Sequence, residues 1–579
     1  NKDLTIDGQG HTLDCLNTEC TAFYSSSGNI TLINLKIING HNDDNYKGGA
    51  IHIEGSAQYT IINCTLNNNW ADDYGGAIYN GVNKPLTIIN SSFNNNEADD
   101  ENGGAIYSVG DICLENSLFN SNHANEDGGA ICSKNSVYIN NCTFKDNCAD
   151  NSGGAIYTYY TIINNSLFDS NKADNDGGAI NAINNAQLKN DIFTRNTAKN
   201  GGASYAYVLN SDNSTFKDNK ADNGGAIYAS SALINSFKPN SNSFFINNIA
   251  DNCGGAIFSK NKIEAINSEF YKNNACEDGG AIFSDNAYVS RCLFDSNKAT
   301  GAKFSQCEGG SVYCQNDLSV ENSTFKNNYA DDYGGALYSK EDSYIKNTVF
   351  IGNNAYEDGG AIFCNNASIA HCLFELNKAT GAKSSQCEGG SVYCQNDLSV
   401  ENSTFKNNYA DDYGGAIYAD TLDLKHGCNF DNTTCIFDNN TAYDNQGGAI
   451  WVNKFKKDVI FATFINNKAG AKDDGGAIYI NKENHITFST CTFKGNYAGD
   501  EGGAIYLDSL SSDLTLIDNT FINNQAGNEG QVVFNKGTYG TIKINHWGTK
   551  SPDFSRDLLV EWKVWESNVK HKDENPSGI

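Results

Sequence analysis

The chain has 579 residues, and 69 acidic against 40 basic side chains give it a net charge of −29 at pH 7. A surface this acidic repels nucleic acid, acidic polysaccharide and anionic lipid, so none of these is an expected partner. The sequence has no run of ~18 apolar residues, so no part is predicted to insert into a membrane as a helix. It contains no Met and starts inside a repeat unit, from which we expect a processed or truncated piece.

One short unit recurs through most of the chain. A Gly-Gly pair, followed by Ala, an aliphatic residue and usually an aromatic one, opens 18 copies spaced 23 to 33 residues apart. Each copy continues with an apolar run, Asn-Ser-x-Phe, and an acidic stretch that leads to the next Gly-Gly. No copy has helical apolar spacing of useful length. Such a unit cannot bury its apolar face alone, whereas stacked copies can.

The repeat predicts an all-β fold, a right-handed parallel β-helix (solenoid) of about 20 coils with terminal caps. Residues 1–47 are predicted to form the first coils, 48–530 the array of 18 repeats, and 531–579 the last coils and the cap. The longer segments 299–308, 379–388 and 426–446 are predicted to project as loops. Segment 277–338 recurs at 357–418 with few changes, which preserves the coil because the shift is three whole repeats.

Strand alternation assigns the side chains of each copy to the inside or the outside of the coil. The aliphatic residue after Gly-Gly-Ala and the Phe of Asn-Ser-x-Phe are predicted to lie inside. The Asn before that Ser is predicted to occupy a bend in the left-handed backbone region, with its amide bonded to the next coil.

The aromatic residue that follows the interior aliphatic position is predicted to point outward and to form a lateral column. The candidate binding residues in this column are Tyr313, Tyr338, Phe363, Tyr393, Tyr418, Trp451, Tyr479 and Tyr506. Aromatic faces stack on sugar rings. The alternative, which we favour, is that these rings only shield the strand backbone and pack on one another.

Acidic residues gather just before Gly-Gly, so stacked coils would place like charges in columns. Calcium could bridge such loops through carboxylate oxygens. The candidate calcium ligands are Asp331, Asp332, Glu357, Asp358, Asp411 and Asp412. A solvated acidic rim is the favoured interpretation because no loop has the regular Asp spacing of a dedicated calcium motif. No other cofactor is predicted.

The 19 cysteines are an odd number, so at least one has no partner within the chain. Close pairs could form bridges in oxidising surroundings, and the candidates are Cys15/Cys20, Cys307/Cys314, Cys387/Cys394 and Cys428/Cys435. No Cys-x-x-Cys occurs, so a zinc site is not favoured. Several Asn-x-Ser/Thr sequons permit glycosylation on a cell surface. The candidates are Asn29, Asn213, Asn322, Asn366, Asn402 and Asn432.

The alternating motifs, as in GGAIY (75–79) with FNNN (93–96), resemble the polymorphic outer-membrane proteins of chlamydiae. LTIDGQGHTL (4–13), NITLINLKIING (29–40), NSTFKNN (322–328 and 402–408) and NHWGTKSPDF (545–554) are similar to the adhesin-like surface proteins of methanogenic archaea. The resemblance covers essentially the whole chain. It implies a secreted, surface-displayed β-helix of the pectin-lyase-like type that contacts other cells or surface glycans.

The predicted function is that of a non-enzymatic, extracellular adhesin at the cell surface, which attaches to glycans or proteins of another cell through its lateral face. Two alternatives stay open: an architectural stalk, and a polysaccharide lyase or hydrolase, which rests on analogy of fold alone. The enzyme is disfavoured because carboxylates recur at every coil, whereas glycoside hydrolysis needs two that converge in one cleft.

Overall fold

The structure is a computed structural model that describes residues 3–19, 21–43, 47–235, 242–301, 306–381, 386–425, 434–483, 485–510, 513–537, 539–543, 545, 558–560 and 567–568. All of their regular secondary structure is β-strand, and no helix that could cross a membrane occurs among them. Contacts divide the chain into two compact units, Asn1–Cys276 with Gly280–Asp285 and Glu277–Gly279 with Asn286–Ile579. Each unit is a parallel β-solenoid, and the two together contain about 19 turns.

Each coil contributes strands to three parallel sheets, which we call faces. The strands after Gly-Gly form the long face, and those of Asn-Ser-x-Phe form the phenylalanine face. Two-residue strands, nearly all ending in Ala, form the alanine face. The division between the units falls within the strand Ile282–Ser290 of the long face.

The first unit begins with strand Leu4–Asp7, which pairs in parallel with Asn29–Ile33, so coils precede the first Gly-Gly pair. The other long-face strands are Phe23–Ser25, Ile51–Ile53, Gln58–Ile62, Ile78–Asn80, Leu86–Ile89, Ile106–Ser108, Ile112–Glu115, Ile131–Asn140, Ile156–Asn164, Ile180–Lys189, Ser204–Asp212, Ile227–Asn235 and Ile257–Ile266. The phenylalanine face contains Thr12–Asp14, Lys36–Ile38, Thr65–Asn67, Ser92–Asn94, Leu118–Asn120, Thr143–Lys145, Leu167–Asp169, Ile192–Thr194, Thr215–Lys217, Ser243–Ile246 and Ser268–Tyr271. The alanine face contains His41–Asn42, Trp70–Ala71, Glu97–Ala98, His123–Ala124, Cys148–Ala149, Lys172–Ala173, Lys220–Ala221, Ile249–Ala250 and Asn274–Ala275.

The second unit repeats the three faces. Its long-face strands are Val312–Cys314, Leu318–Glu321, Leu337–Lys346, Ile362–Ala370, Val392–Glu401, Ile417–Lys425, Ile450–Phe455, Ile478–Ile480, Ile505–Leu507, Val533–Asn535 and Leu558–Val560. A separate small sheet contains Val459–Ile460, His485–Ser489, Asp513–Ile517, Tyr539–Lys543 and Ser567–Asn568. The phenylalanine face contains Leu293–Asp295, Thr324–Lys326, Val349–Ile351, Leu373–Glu375, Thr404–Lys406, Ile436–Asp438, Thr463–Ile465, Thr492–Lys494 and Thr520–Ile522. The alanine face contains Lys298–Ala299, Tyr329–Ala330, Asn354–Ala355, Lys378–Ala379, Tyr409–Ala410, Thr441–Ala442, Tyr497–Ala498 and Gln525–Ala526.

The core of both units is a stack of like residues, as the repeat predicts. The aliphatic residue after Gly-Gly-Ala is buried, as Ile78 and Ile106 show. The phenylalanines stack in the same way: the Phe93 and Phe119 ring centroids lie 4.7 Å apart, and those of Phe294 and Phe325 also lie 4.7 Å apart. That spacing matches the ~4.8 Å between neighbouring strands, so each coil places its ring directly on the last one.

The bends between the long face and the phenylalanine face are formed by asparagine in the left-handed backbone region, as predicted. Asn90, Asn141 and Asn322 have φ of 50°, 53° and 50°. Asparagine tolerates this region because its short amide can bond locally. The Asn141 amide donates to Asn116 Oδ1 at 2.7 Å, so the predicted bonding between coils occurs here.

A second asparagine, three residues after the Phe, forms a fully buried ladder of side-chain hydrogen bonds between coils. It was not predicted from the sequence. Asn328 Nδ2 donates to Asn353 Oδ1 at 2.9 Å and to the Phe294 carbonyl at 3.1 Å. In turn Asn297 donates to Asn328 Oδ1 from both its backbone N–H and its amide. These bonds satisfy the backbone at a bend where no strand partner is in reach.

The Gly-Gly pair makes the turn onto the long face. Gly334 has φ +66°, where other residues are strained, and a Cβ on Gly335 would collide with the Gly360 carbonyl of the next coil. The turn holds the acidic stretch beside the aromatic position of the long face.

The boundaries at 47 and 530 stay predictions, and most of the predicted cap lies outside the described residues. So do residues 302–305, 382–385 and 426–433. The projection of the three loops therefore also stays a prediction.

Candidate binding surfaces

The aromatic column is continuous in the second unit. Its rings stack nearly parallel, with centroids 5.0 Å apart for Tyr313 and Tyr338, 4.9 Å for Tyr393 and Tyr418, and 4.3 Å for Tyr418 and Trp451. The column ends at Phe534, which lies 5.0 Å from Tyr506. The rings stack because in-register parallel pairing places identical repeat positions side by side on neighbouring strands.

Most of the column is not an open outward surface, which corrects the prediction. Tyr313 and Tyr506 are 2% exposed, and Tyr479 is 5% exposed. Tyr338, Phe363 and Trp451 are also buried, whereas Tyr393 and Tyr418 are half-buried. Each ring covers its neighbours, and side chains of the acidic loops and lysines cover the edges. Sugar stacking needs an accessible ring face, so the buried rings cannot offer it, and the shielding alternative accounts for them.

Polar groups contact the rings at the edge of the column. Tyr479 Oη donates to Asp508 Oδ2 at 2.7 Å. The Lys340 ammonium lies 5.3 Å from the centre of the Tyr313 ring, and Lys536 lies at the same distance from Tyr506. Burial is the main cause that raises the pKa of Tyr479, with Asp508 adding to it. The Tyr479 phenol therefore stays protonated over the ordinary pH range.

The predicted calcium ligands accept hydrogen bonds from backbone N–H groups of neighbouring coils. Asp332 Oδ2 accepts from the Cys307 N–H at 2.7 Å, and Asp358 Oδ1 accepts from the Glu388 N–H at 2.9 Å. The remaining contacts follow the same pattern: Asp331 accepts from Gly301, Asp411 from Gly381 and Asp412 from Cys387. Glu357 belongs to the same loop as Asp358. Among the described residues, no three acidic groups of these loops converge on one point. Calcium binding here stays a prediction.

Burial makes several loop carboxyls hard to ionise. It raises the pKa of Asp358 to about 7 and that of Glu388 to about 8. Nearby carboxylates also raise these pKa values, and Asp412 contributes to the shift of both groups. Part of the acidic rim is thus protonated at neutral pH, which relieves the like-charge repulsion between coils.

The cysteines and sequons have varied surroundings. Cys394 is paired in register with Cys364 on the neighbouring strand and donates to the Asn365 carbonyl at 3.3 Å. Cys307, Cys314, Cys387, Cys435 and Cys15 are buried, while Cys20 and Cys428 lie outside the described residues. The predicted bridges stay predictions. Asn29, Asn213 and Asn322 are exposed, Asn366 and Asn402 are half-buried, and Asn432 is not described.

A shallow groove on the long face of the second unit offers an exposed aromatic side chain. One row of the sheet places Tyr344, Ser368, Ser399 and Asp423 side by side on four successive coils. We call this the Tyr344 groove, with Asp397 and Lys456 at its rim. Tyr344 is 56% exposed, far more than the rings of the column. Three strand spacings make the row about 14 Å long.

Hydrogen bonds fix the rim of the Tyr344 groove. Asn366 Nδ2 donates to Asp342 Oδ1 at 3.1 Å, and Asn366 Oδ1 accepts from the Asp397 N–H at 3.2 Å. Lys456 Nζ donates to Asp397 Oδ2 at 2.6 Å, although the two are 59 residues apart in sequence. Sequence reasoning missed this surface because it focused on the position after Gly-Gly-Ala-Ile, whereas Tyr344 lies six residues further along the strand.

Comparisons with known proteins agree with this architecture. A family model described as a right handed beta helix region matches residues 395–547. A model described as a Chlamydia polymorphic membrane protein repeat matches nine segments, 63–81, 90–109, 116–134, 141–159, 165–183, 213–230, 242–260, 322–340 and 347–365. No curated protein and no solved structure matches the chain.

These matches confirm the right-handed parallel β-helix that the repeat predicts. They also confirm the resemblance to chlamydial polymorphic membrane proteins at the level of the repeat. Repeats of this kind indicate a surface-exposed or outer-membrane protein.

Proposed function

We propose that the chain is an extracellular adhesin whose Tyr344 groove binds a glycan on another cell. Polymorphic membrane protein repeats on a β-helix support surface display and an adhesin-like role. The observation that carries the proposal is the row from Tyr344 to Asp423, which places an exposed ring beside hydroxyls and a carboxylate. The resemblance to methanogen surface proteins, which rests on the sequence motifs alone, points to the same role.

The groove has the chemistry that sugar binding requires. An exposed tyrosine presents an apolar face for the C–H side of a sugar ring. Ser368 and Ser399 offer hydroxyls in the same row, and Asp397 and Lys456 offer a fixed acceptor and donor. The net charge of −29 disfavours acidic glycans, so a neutral glycan is the expected ligand. A glycan attached to Asn366 would fill the groove, so this sequon should be unmodified in the binding form.

The proposed role is binding without catalysis. Asp397 is engaged by Lys456, and Lys457 Nζ lies 3.6 Å from Asp423, so both carboxylates have cationic neighbours. A glycosidase instead needs one carboxyl that is free to act as an acid. Assaying release of reducing ends from candidate polysaccharides tests this part separately.

The first test is a glycan array and a whole-cell binding assay on the purified chain, with calcium and with chelator. We expect Tyr344→Ala to weaken binding about tenfold or more, because stacking and the apolar contact are both lost. Tyr443→Ala is the matched control: Tyr443 is 59% exposed in the same unit and lies outside the groove. Equal binding by both variants would reject the groove. Binding that is lost on chelation would support calcium at the acidic loops, and no binding at all would favour the architectural stalk.

A further inference from the structure

A cluster of mixed ligand types lies on the alanine face of the first unit. His123, Cys148 and Asp150 each present one ligand atom, and these atoms all lie within 4.8 Å of one another. It is the only group of three or more His, Cys, Asp or Glu side chains in the described part of the chain that converges this closely.

The backbone register creates the cluster. His123 and Cys148 are in-register partners on neighbouring two-residue strands, and Asp150 follows Cys148 by two residues. The next residues, Ala124 and Ala149, are also partners and are buried, so they fix the strands against the core. His123 and Cys148 are 25 residues apart in sequence, which is one coil. A search for short-range motifs such as Cys-x-x-Cys therefore overlooks them.

The distances already approach those of a metal site. His123 Nε2 lies 3.3 Å from Asp150 Oδ1. Tetrahedral zinc, with bonds of about 2.0–2.3 Å, holds its ligand atoms about 3.3–3.8 Å apart. The three donors therefore need to close by about 1 Å at most, which side-chain rotation can supply because His123 and Asp150 are 33% and 54% exposed.

A fourth side chain orients the histidine. His123 Nδ1 lies 3.5 Å from Glu97 Oε1 on the preceding coil. A carboxylate on the far ring nitrogen fixes the tautomer that leaves Nε2 available to a metal. Glu97 is thus a positioning residue and not a ligand. Lys172, on the following coil, is held by Asp174 at 2.9 Å.

We propose that His123, Cys148 and Asp150 bind one zinc ion, with solvent in the fourth position. Imidazole nitrogen, thiolate and carboxylate are the donors that zinc takes in proteins. The site does not continue on the following coils, because the positions in register with Cys148 there are Lys172, Thr197 and Lys220. The proposal does not depend on the Tyr344 groove.

The test is a titration of the full chain with zinc and with cobalt(II), whose thiolate complexes absorb by charge transfer. We expect one equivalent of each metal to bind, with charge-transfer absorption for cobalt. Cys148→Ser should abolish that absorption and weaken zinc binding at least tenfold, and His123→Gln should weaken it similarly. Glu97→Gln should weaken zinc binding about 10-fold, as loss of an orienting carboxylate does, and retain the charge-transfer absorption.

Two controls keep the result interpretable. Cys113→Ser removes another half-buried thiol of the first unit and should leave binding unchanged. Circular dichroism should show that Cys148→Ser folds, because this register position accepts lysine and threonine on other coils. Failure of the wild-type chain to bind zinc, or absorption that persists in Cys148→Ser, would overturn the proposal and leave a His123–Asp150 hydrogen bond only.

Discussion

Two segments of the second unit have the same sequence and different chemistry. Residues 305–336 and 385–416 are identical, yet burial and its neighbours raise the pKa of Glu308 to about 7 and that of Glu388 to about 8. Likewise, Asp278 has a pKa of about 6 and its counterpart Asp358 a pKa of about 7. A side chain in this fold is thus defined by its own coil and by the coils stacked on it.

The difference traces to the coil that follows each segment. Lys340 lies near Glu308 and Asp278 and lowers the pKa of both, whereas the equivalent position after the second segment is Asp420. Lys340 also lies over the Tyr313 ring. Tyr313 is buried, whereas its counterpart Tyr393 is half-buried. Lys340 therefore contributes to the lower pKa of Glu308, and it contacts a ring that is more buried than its counterpart.

The buried asparagine ladder should contribute equally to the stability of the two segments, because its side-chain hydrogen bonds there do not involve Lys340 or Asp420. Asn328→Ala and Asn408→Ala each remove the amide that bonds the next coil and a Phe carbonyl. We expect each to cost about 2–4 kcal/mol, because buried partners are left unsatisfied. Hydrogen exchange of each segment is the measurement, since a repeat array need not unfold in one step.

The exposed Asn316→Ala is the control for the ladder and should change the exchange of its segment little. Unequal losses at Asn328 and Asn408 would show that the inner ladder also responds to neighbouring coils, contrary to the expectation.

Replacing Glu308 and Glu388 should change the free energy of unfolding by different amounts. The pKa of Glu388 is raised from its ordinary 4.5 to about 8, so the folded chain keeps a proton that the unfolded chain releases. The free energy of unfolding should fall as the pH rises from 4.5 to about 8, and stay level above that. Glu388→Gln removes this loss and should stabilise the chain at pH 8 by on the order of 2 kcal/mol, because the shift is shared with Asp358.

The same change at Glu308 is the matched comparison. Its pKa of about 7 is held down by Lys340 and the Tyr338 hydroxyl, so Glu308→Gln should stabilise the chain less. Melting temperatures at pH 5 and pH 8 measure both. Neither variant should have a higher melting temperature than the wild type at pH 5. A higher melting temperature there would indicate that packing, and not ionisation, causes the stabilisation.

The fold was predictable because the same strand pattern recurs in 18 copies of the repeat. Interior Phe and Ile residues and the asparagine bends follow from strand alternation, which any one copy shows. The burial of Tyr313 did not follow, because alternation gives the side of the strand and not what the neighbouring coils place over it. The buried Asn328 was missed because polar residues are not expected inside a coil.

The candidate sites were harder to foresee for the same reason. Tyr344 with Ser368, and His123 with Cys148, are each one coil apart, so their proximity depends on register across the whole coil. Loops of different length change the sequence separation of register partners, which is 24 residues for Tyr344 and Ser368 and 31 for Ser368 and Ser399, so no fixed spacing reveals them. Sequence periodicity gives the coil, but only the stacked structure shows which exceptional residues meet.

Exchanging Lys340 and Asp420, which follow the two identical segments, should give the smallest of the expected effects: a shift in the pKa of one glutamate in each segment. Lys340→Asp should raise the pKa of Glu308 by about one unit, toward the value of Glu388, because a nearby cation is replaced by an anion. Asp420→Lys should lower the pKa of Glu388 by a similar amount. NMR titration of selectively labelled glutamate measures both shifts, and Lys340→Gln separates loss of the cation from gain of the anion. If the exchange leaves both pKa values in place, the difference must come from the Tyr338 hydroxyl or from the backbone, which forms two short strands, Val312–Cys314 and Leu318–Glu321, in one segment and a single strand, Val392–Glu401, in the other.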